Sequence, residues 1–240
     1  MRGRLIGVGV GPGDPELLTV KGIRALLRAD TVFVPVGDLG ETGRAEAVVC
    51  AYVDPGKVER LQFALAGDAA ERQASWDRAG AAVAEVVASG RAAAFATIGD
   101  PSVYSTFGYL AATVRGLVGE LAVEMVPGVT AMQDLAARSG TTLVEGRERL
   151  ALLPLTQGTA PLVDALDKFD TVVCYKGGRH LPEIVDLLEA SGRLEQALYG
   201  ARLGLAGETI QPAAKLGGEP GPYLSTVIAL PTRPARGSAP

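Results

Sequence analysis

The chain is short of the residues that most often do covalent or metal chemistry. Among its 240 residues are two cysteines, Cys50 and Cys174, and one histidine, His180. Two cysteines outside any CxxC pair cannot build a disulfide framework, and a single histidine excludes a His-rich metal site. A structural or solvent-facing role is the ordinary reading for all three. No metal held by the protein is expected, although a substrate can bring its own. Aromatic residues are only 5% of the chain. Positive charge is not in excess either: the formal net charge is −4, which gives no basic footprint for nucleic acid. An anionic ligand must therefore be met by locally placed Arg and Lys rather than by a global field. No apolar run reaches the roughly 18 residues that a membrane helix needs. The start, Met1-Arg2-Gly3-Arg4-Leu5, leads straight into a strand pattern with no long apolar segment before a cleavage site, so a cytoplasmic protein is expected.

What is present is an ordinary globular composition, 48% apolar and 21% charged, rich in Gly and Ala. That richness suggests close helix–sheet packing with Gly-rich turns, and the length allows one large domain or two modest ones. The pattern reads strand, glycine-rich turn, helix, strand, repeated. Leu5 to Val8 is a short apolar run, and Val20, Ile23 and Leu27 then recur at helical spacing, with Thr19 or Asp14 available as N-cap. Thr31 to Val36 is a second strand whose Pro35 marks a strand end or edge. An Ala-rich helix is expected over 68–89, a strand over 92–97, a helix over 105–117 and a strand over 122–126. A helix near 129–138 follows, with further strands over 149–153, 171–175 and 223–228. Continuous apolar strands alternating with helices indicate an α/β protein with a mainly parallel sheet. The character shifts after Gly128, which sets an N-terminal α/β domain at 1–127 and a C-terminal one at 128–231. The Pro/Gly/Ser-rich tail, 232–240, is expected to be disordered.

Gly7-Val8-Gly9-Val10-Gly11-Pro12-Gly13-Asp14-Pro15 sits between a strand and a helix, as a dinucleotide-binding loop would. The G-x-G-x-x-G register fails: counted from Gly7 the sixth position is Pro12, and counted from Gly9 it is Asp14. Two prolines also remove backbone donors that a pyrophosphate would use, and Asp14 would repel phosphate. The loop is either a rigid turn exposing backbone beside a ligand or simply a tight strand–helix turn.

Two more loops follow apolar strands: Gly99-Asp100-Pro101-Ser102-Val103-Tyr104-Ser105-Thr106 and Val126-Pro127-Gly128-Val129-Thr130-Ala131. In a parallel sheet all three loops gather at the carboxyl edge, where open α/β sheets bind ligands. S-adenosylmethionine asks for this chemistry. Its sulfonium and amino groups favour carboxylate or carbonyl oxygen, and its adenine favours an apolar slot. Asp100 and the hydroxyls of Tyr104, Ser105, Thr106 and Thr130 can supply the polar part; Val103, Ala131 and Leu153 can supply the slot. The alternative for Asp100 is a cap on the helix that follows.

Taken together, Gly-x-Gly-x-Gly-Pro-Gly-Asp-Pro-x-Leu-Leu-Thr at 7–19, Gly-Asp-Pro-Ser at 99–102 and Val-Pro-Gly-Val-Thr-Ala at 126–131 resemble the tetrapyrrole methylases in order and spacing. The likeness covers nearly the whole chain. Within that family the precorrin-2 C20-methyltransferases are the nearest in pattern, through 104–110, through Glu145-Gly146-Arg147-Glu148-Arg149-Leu150 and through Tyr175-Lys176-Gly177-Gly178-Arg179-His180-Leu181-Pro182. Departures are Tyr175, where that signature commonly has Met, and Ala201-Arg202-Leu203, where Glu-Arg-Ala is usual.

The resemblance implies two α/β domains with S-adenosylmethionine in the cleft between them, and a homodimer. It places Pro12, Gly99, Asp100, Val103, Thr130 and Ala131 at the cofactor, joined by Tyr104, Ser105, Thr106, Leu153, Lys176 and Arg202. The implied reaction is methylation of C20 of precorrin-2, or of cobalt-factor II, in corrin biosynthesis, with S-adenosylhomocysteine as by-product. The alternatives are a methylase of the same fold acting on another ring position, on RNA or on protein, and a non-catalytic nucleotide-binding module. The electron-rich substrate carbon is the nucleophile, so no Ser, Cys or Lys nucleophile is required, and positioning does the work. Asp14 is a candidate for contacting ring nitrogens, against a plain N-capping role. The many carboxylates of a tetrapyrrole call for Arg and Lys around it, with Arg44, Arg147 and Arg179 as candidates and a solvated surface charge as the alternative for each.

Overall fold

The computed structural model describes residues 3–40, 42–63 and 68–233. Of the tail expected to be disordered, 234–240 lie outside the described residues. The chain divides into two compact units, Met1–Thr130 and Ala131–Pro240.

The N-terminal unit runs β1 (Arg4–Gly9), α1 (Val20–Arg28), β2 (Thr31–Val36), α2 (Arg44–Val49), β3 (Val58–Gln62), α3 (Ala69–Ala88), β4 (Ala92–Thr97), α4 (Phe107–Val118) and β5 (Ala122–Val126). Its five strands are all parallel, in the order β3-β2-β4-β1-β5. Alternation along each strand sends side chains to opposite faces. Leu5, Phe33, Ala93 and Phe95 meet α3 and α4 on one side, while Ile6, Val8, Val32, Val34, Ala94 and Ala96 meet α1 and α2 on the other. The three central strands β1, β2 and β4 are covered on both faces, which is why they read as largely apolar runs, whereas the edge strands β3 and β5 carry Glu59, Arg60 and Glu124 and are mostly unburied. Pro35 lies past the last β2–β4 partner pair, Phe33 with Phe95, so it marks the strand's end on that side. Both candidate caps are used: Thr19 Oγ1 accepts the Gly22 amide at 3.0 Å, and Asp14 accepts the Glu16 amide at 2.9 Å in the short 3₁₀ turn Pro15–Leu17.

The C-terminal unit contains α5 (Ala131–Arg138), β6 (Leu150–Pro154), α6 (Ala160–Lys168), β7 (Thr171–Tyr175), α7 (Leu181–Ala190), β8 (Ala197–Ala201), β9 (Thr209–Pro212) and β10 (Ser225–Ala229). Its sheet has the order β6-β7-β10-β8-β9. Only β6 and β7 pair parallel; β10 runs antiparallel to β7 and β8, and β9 antiparallel to β8. The expectation of a mainly parallel sheet therefore holds for the first unit and is corrected for the second. After β8 no α-helix intervenes, and connections without a helical crossover return the chain in the opposite direction. Ala151, Leu162, Val172, Cys174, Ile184, Leu188, Tyr199 and Val227 form the core of this unit.

The glycine at position 7 has a packing cause. A methyl group there would sit 2.6 Å from the Phe107 ring, which is itself fully buried and stacked at 6.1 Å on Phe95. Phe107→Ala should therefore cost about 3–5 kcal/mol, read as a lower denaturation midpoint in urea. A loss under about 1 kcal/mol would mean that this face tolerates collapse.

Candidate functional site

In the N-terminal unit three loops leave the carboxyl ends of neighbouring strands, because β4, β1 and β5 lie side by side. They are drawn together by backbone. Gly99 N–H donates to the Gly11 carbonyl at 2.8 Å, Gly11 N–H returns to the Gly99 carbonyl at 3.4 Å, and Val10 N–H donates to the Thr97 carbonyl at 2.9 Å. The approach is too close for side chains. A methyl group at Gly9 would lie 2.5 Å from the Gly99 carbonyl oxygen and 2.6 Å from the Gly128 nitrogen; one at Gly128 would lie 2.2 Å from the same carbonyl. Gly99 itself has a positive φ of 71°, and the space where its side chain would stand is open.

Asp100 fastens this arrangement. The residue is 8% exposed. Its Oδ1 accepts the Ser102 amide at 2.8 Å and the Ser102 hydroxyl at 2.5 Å, and its Oδ2 accepts the Gly128 amide at 3.0 Å. Burial raises the carboxyl pKa, but the Ser102 side chain, the Ser102 amide and the Gly128 amide together outweigh it and hold the group below its ordinary range. Asp100 thus stays ionised and ties the β4 loop to the β5 loop. It does not cap α4. The N-cap residue is Thr106, which makes no side-chain cap bond; just before it, Ser105 Oγ accepts the Phe107 amide at 3.1 Å and donates to Thr97 Oγ1 at 3.0 Å. Ser102 was not singled out from sequence. The readable signal was Asp two residues before Ser, a spacing that favours a side-chain-closed turn.

The remaining candidates of this unit sit around that knot. Pro12 is buried in the first loop, Val103 donates its amide to the Asp100 carbonyl at 3.2 Å, and Thr106 precedes α4. Tyr104 has a left-handed backbone, φ 49°, and burial raises its phenol pKa. Left-handed non-glycine residues are uncommon and gather at functional sites. Thr130 is buried. Arg44 is the exposed first residue of α2.

The C-terminal unit places two more left-handed residues at one sheet edge: Lys176, φ 58°, and Arg202, φ 53°. Each is the first residue after its strand, β7 and β8, and both flank the start of β10, roughly 10 Å apart across two strand spacings. The Lys176 ammonium stands 5.9 Å from the Tyr223 ring centroid. Ala131 opens α5, and Leu153 lines a surface cavity of 440 Å³ with Leu150, Leu152, Pro161 and Phe169. Arg147 and Arg179 are exposed on separate segments; Arg179 donates to His180 Nε2 at 3.0 Å and to the Thr156 carbonyl. Among the described residues no group of three or more His, Cys, Asp and Glu is placed to hold a metal.

The residues suit S-adenosylmethionine: an ionised carboxylate beside an open glycine face, apolar Val103, and the Tyr104 hydroxyl. Phosphate would find a carboxylate where it needs a cation. Two α/β units with loops gathered at strand ends define a small-molecule-binding α/β protein of two units. A family profile described as Tetrapyrrole (Corrin/Porphyrin) Methylases matches residues 4–217, and the chain belongs to that family. It is 37% identical over 235 residues to a precorrin-2 C(20)-methyltransferase of Sinorhizobium sp, covering 94% of each chain. It is 32% identical over 231 residues to a cobalt-precorrin-2 C(20)-methyltransferase of Salmonella typhimurium, covering 95% of this chain and 96% of that one. Its fold is similar to that of uroporphyrin-III C-methyltransferase from Thermus thermophilus. One such structure has TM-score 0.64 at 26% identity, over 96% of this chain and 93% of that one. Another, complexed with S-adenyl homocysteine, has TM-score 0.63 at 24% identity, over 94% and 97%.

Asp100→Asn keeps the shape but turns one oxygen into a donor that faces donors, so it should destabilise the protein by about 1–3 kcal/mol. The wild-type carboxyl has a lowered pKa, so its contribution is present above the unfolded value and lost as pH falls through the folded one. The gap in melting temperature between the two proteins should be constant above about pH 5 and shrink below about pH 4. A gap independent of pH would show that the charge is not what matters.

Proposed function

We propose that the protein methylates C20 of precorrin-2, or of its cobalt-bearing counterpart, in corrin biosynthesis, using S-adenosylmethionine. The observation that carries this is the identity of 37% and 32%, over nearly the full length of both partners, to two C(20)-methyltransferases. The cofactor is read as lying against Pro12, Gly99, Asp100, Val103, Tyr104, Ser105, Thr106 and Thr130 of the first unit. In the second unit it is read against Ala131, Leu153, Lys176 and Arg202.

Bound S-adenosylmethionine supplies an electrophilic methyl group on a sulfonium that departs as a neutral thioether. The chain's residues bind, orient and exclude water. Neither thiol stands in an activating environment: Cys174 is buried, which pushes it up to about 12, and the exposed Cys50 is raised by partial desolvation and by the nearby Glu46 carboxylate. That agrees with a substrate carbon that attacks directly, so the barrier falls through in-line orientation rather than through a covalent enzyme intermediate. Asp100 keeps a negative charge near the site at neutral pH, where a sulfonium and an ammonium are stabilised. Arg44, Arg147 and Arg179 are read as partners for substrate carboxylates, and Asp14 as a candidate for the ring nitrogens with its other oxygen. Homodimerisation and a cytoplasmic location belong to the same reading, and no helix among the described residues is long and apolar enough to cross a membrane.

Anaerobic incubation with S-adenosylmethionine and precorrin-2, with and without inserted cobalt, tests the reaction. One methyl added at C20, located by mass and NMR, is expected. A methyl at another carbon, or none with either ring, would overturn the assignment. Arg179→Ala should raise KM for the tetrapyrrole about fivefold with little change in kcat, the effect of one lost exposed ion pair; an unchanged KM would remove Arg179 from the substrate site.

A further inference from the structure

Helix α5 is held at both ends by side chains that come from strand ends of its own unit. At its start, the Met132 amide donates to the Tyr175 hydroxyl at 2.9 Å. That amide belongs to the first turn, where N–H groups have no partner within the helix. Tyr175 is the last residue of β7 and is buried. In the middle, Leu135 is fully buried against Gly200 of β8, where a methyl group would lie 2.9 Å from the leucine side chain. At its end, both terminal nitrogens of Arg138 donate to Glu208, one to each carboxylate oxygen, at 2.5 Å.

Glu208 also closes the loop that follows β8. Its Oε2 accepts the Gly204 amide at 2.6 Å. The same loop is tightened by Leu205 N–H to the Arg202 carbonyl at 2.9 Å, Glu208 N–H to the Leu205 carbonyl at 3.1 Å, and Arg202 N–H to the Leu224 carbonyl at 3.2 Å. Arg202, Gly204 and Gly207 all have positive φ. A left-handed arginine persists only where its surroundings enforce it, and the Glu208 carboxylate reaches both the loop backbone, at Gly204, and α5, at Arg138. Hydrogen bonding to Arg138 leads the causes that keep the Glu208 carboxyl below its ordinary range, so it is ionised at neutral pH.

We propose that Tyr175 and Glu208, with Arg138, are positioning residues for the cofactor: they lock α5 to β7 and to the β8–β9 loop, so that Ala131 at the helix start and Arg202 in the loop are presented in one frame. This rests on the reading that Ala131 and Arg202 contact S-adenosylmethionine. None of the three needs to touch the cofactor itself.

Titration of S-adenosylhomocysteine into wild type, Tyr175→Phe, Glu208→Gln and Arg138→Lys, with steady-state kinetics on each, tests the clamp. Glu208→Gln should raise Kd and the KM for S-adenosylmethionine about tenfold, the loss of a charge-assisted bond. Tyr175→Phe should raise them about fivefold for a neutral bond, and Arg138→Lys, which keeps the charge without the two-pronged geometry, should fall between wild type and Glu208→Gln. In all three, kcat at saturating cofactor and KM for the tetrapyrrole should stay within about twofold. Lower melting temperatures with unchanged Kd and KM would overturn the clamp and leave a purely structural role. Tyr175→Phe removes a single oxygen from the ring, so it reports even if Glu208→Gln fails to fold. Absence of binding by the wild type would overturn the cofactor reading and the clamp with it, whereas wild-type binding with three unaffected variants would overturn the clamp alone.

Discussion

The Asp100 carboxylate is the interaction on which the N-terminal site depends. A buried charge must be paired or fully hydrogen-bonded, and Asp100 meets that demand with three donors from two different loops. The result is a joint between the end of β4 and the end of β5, with the end of β1 packed beneath it through Gly9. Remove the charge and the Gly128 amide and the Ser102 turn lose a common acceptor. Add a methyl group at Gly9 or Gly128 and the loops cannot close to the distance at which those bonds form. The glycines and the aspartate are therefore parts of one device: absence of side chains permits the approach, and one anionic side chain fixes it.

That device suits the chemistry of a methyl donor better than that of a dinucleotide. A phosphate-binding loop offers amides and a helix N-terminus to an anion, whereas this site commits amides of Ser102 and Gly128 to its own carboxylate. The net result is negative potential beside an open glycine face, which favours a cationic ligand. With no thiol in an activating environment, the fold provides position and charge, and the reacting groups come from the two substrates.

Much of the first unit was legible because its central strands, β1, β2 and β4, are buried on both faces. Residues 31–36, 92–97 and, in the second unit, 171–175 read as largely apolar runs bounded by Gly or charge, and 122–126 as an apolar run broken by Glu124; the strands occupy those spans. β3, with the sequence Val-Glu-Arg-Leu-Gln, and β9, with Thr-Ile-Gln-Pro, lie at sheet edges. Half their surface faces water, so their polar residues hide the strand signal. α2, α6, α7 and β8 were not read from the sequence; α2 and β8 are short, with six and five residues, whereas α6 and α7 do carry a signal, a proline in the first turn followed by apolar residues at helical spacing. The antiparallel return of β10 was hidden for a different reason: direction depends on what covers the sheet and on connection length, neither of which a local pattern records. For the site, Asp100 was found by its place after a strand, while its acceptor role toward Gly128 was not, since those residues are 28 apart and only the sheet order brings them together. The left-handed backbones of Tyr104, Lys176 and Arg202 carry no sequence mark, because the residues are not the glycines that such conformations favour.

The central claim is that the chain holds S-adenosylmethionine and excludes dinucleotides, and calorimetric titration of the wild-type protein with S-adenosylhomocysteine and, separately, with NAD tests it most directly. Saturable binding of S-adenosylhomocysteine at one site per chain, with no heat from NAD at the same concentrations, is the predicted result. Binding of NAD, or no binding of S-adenosylhomocysteine, would contradict it.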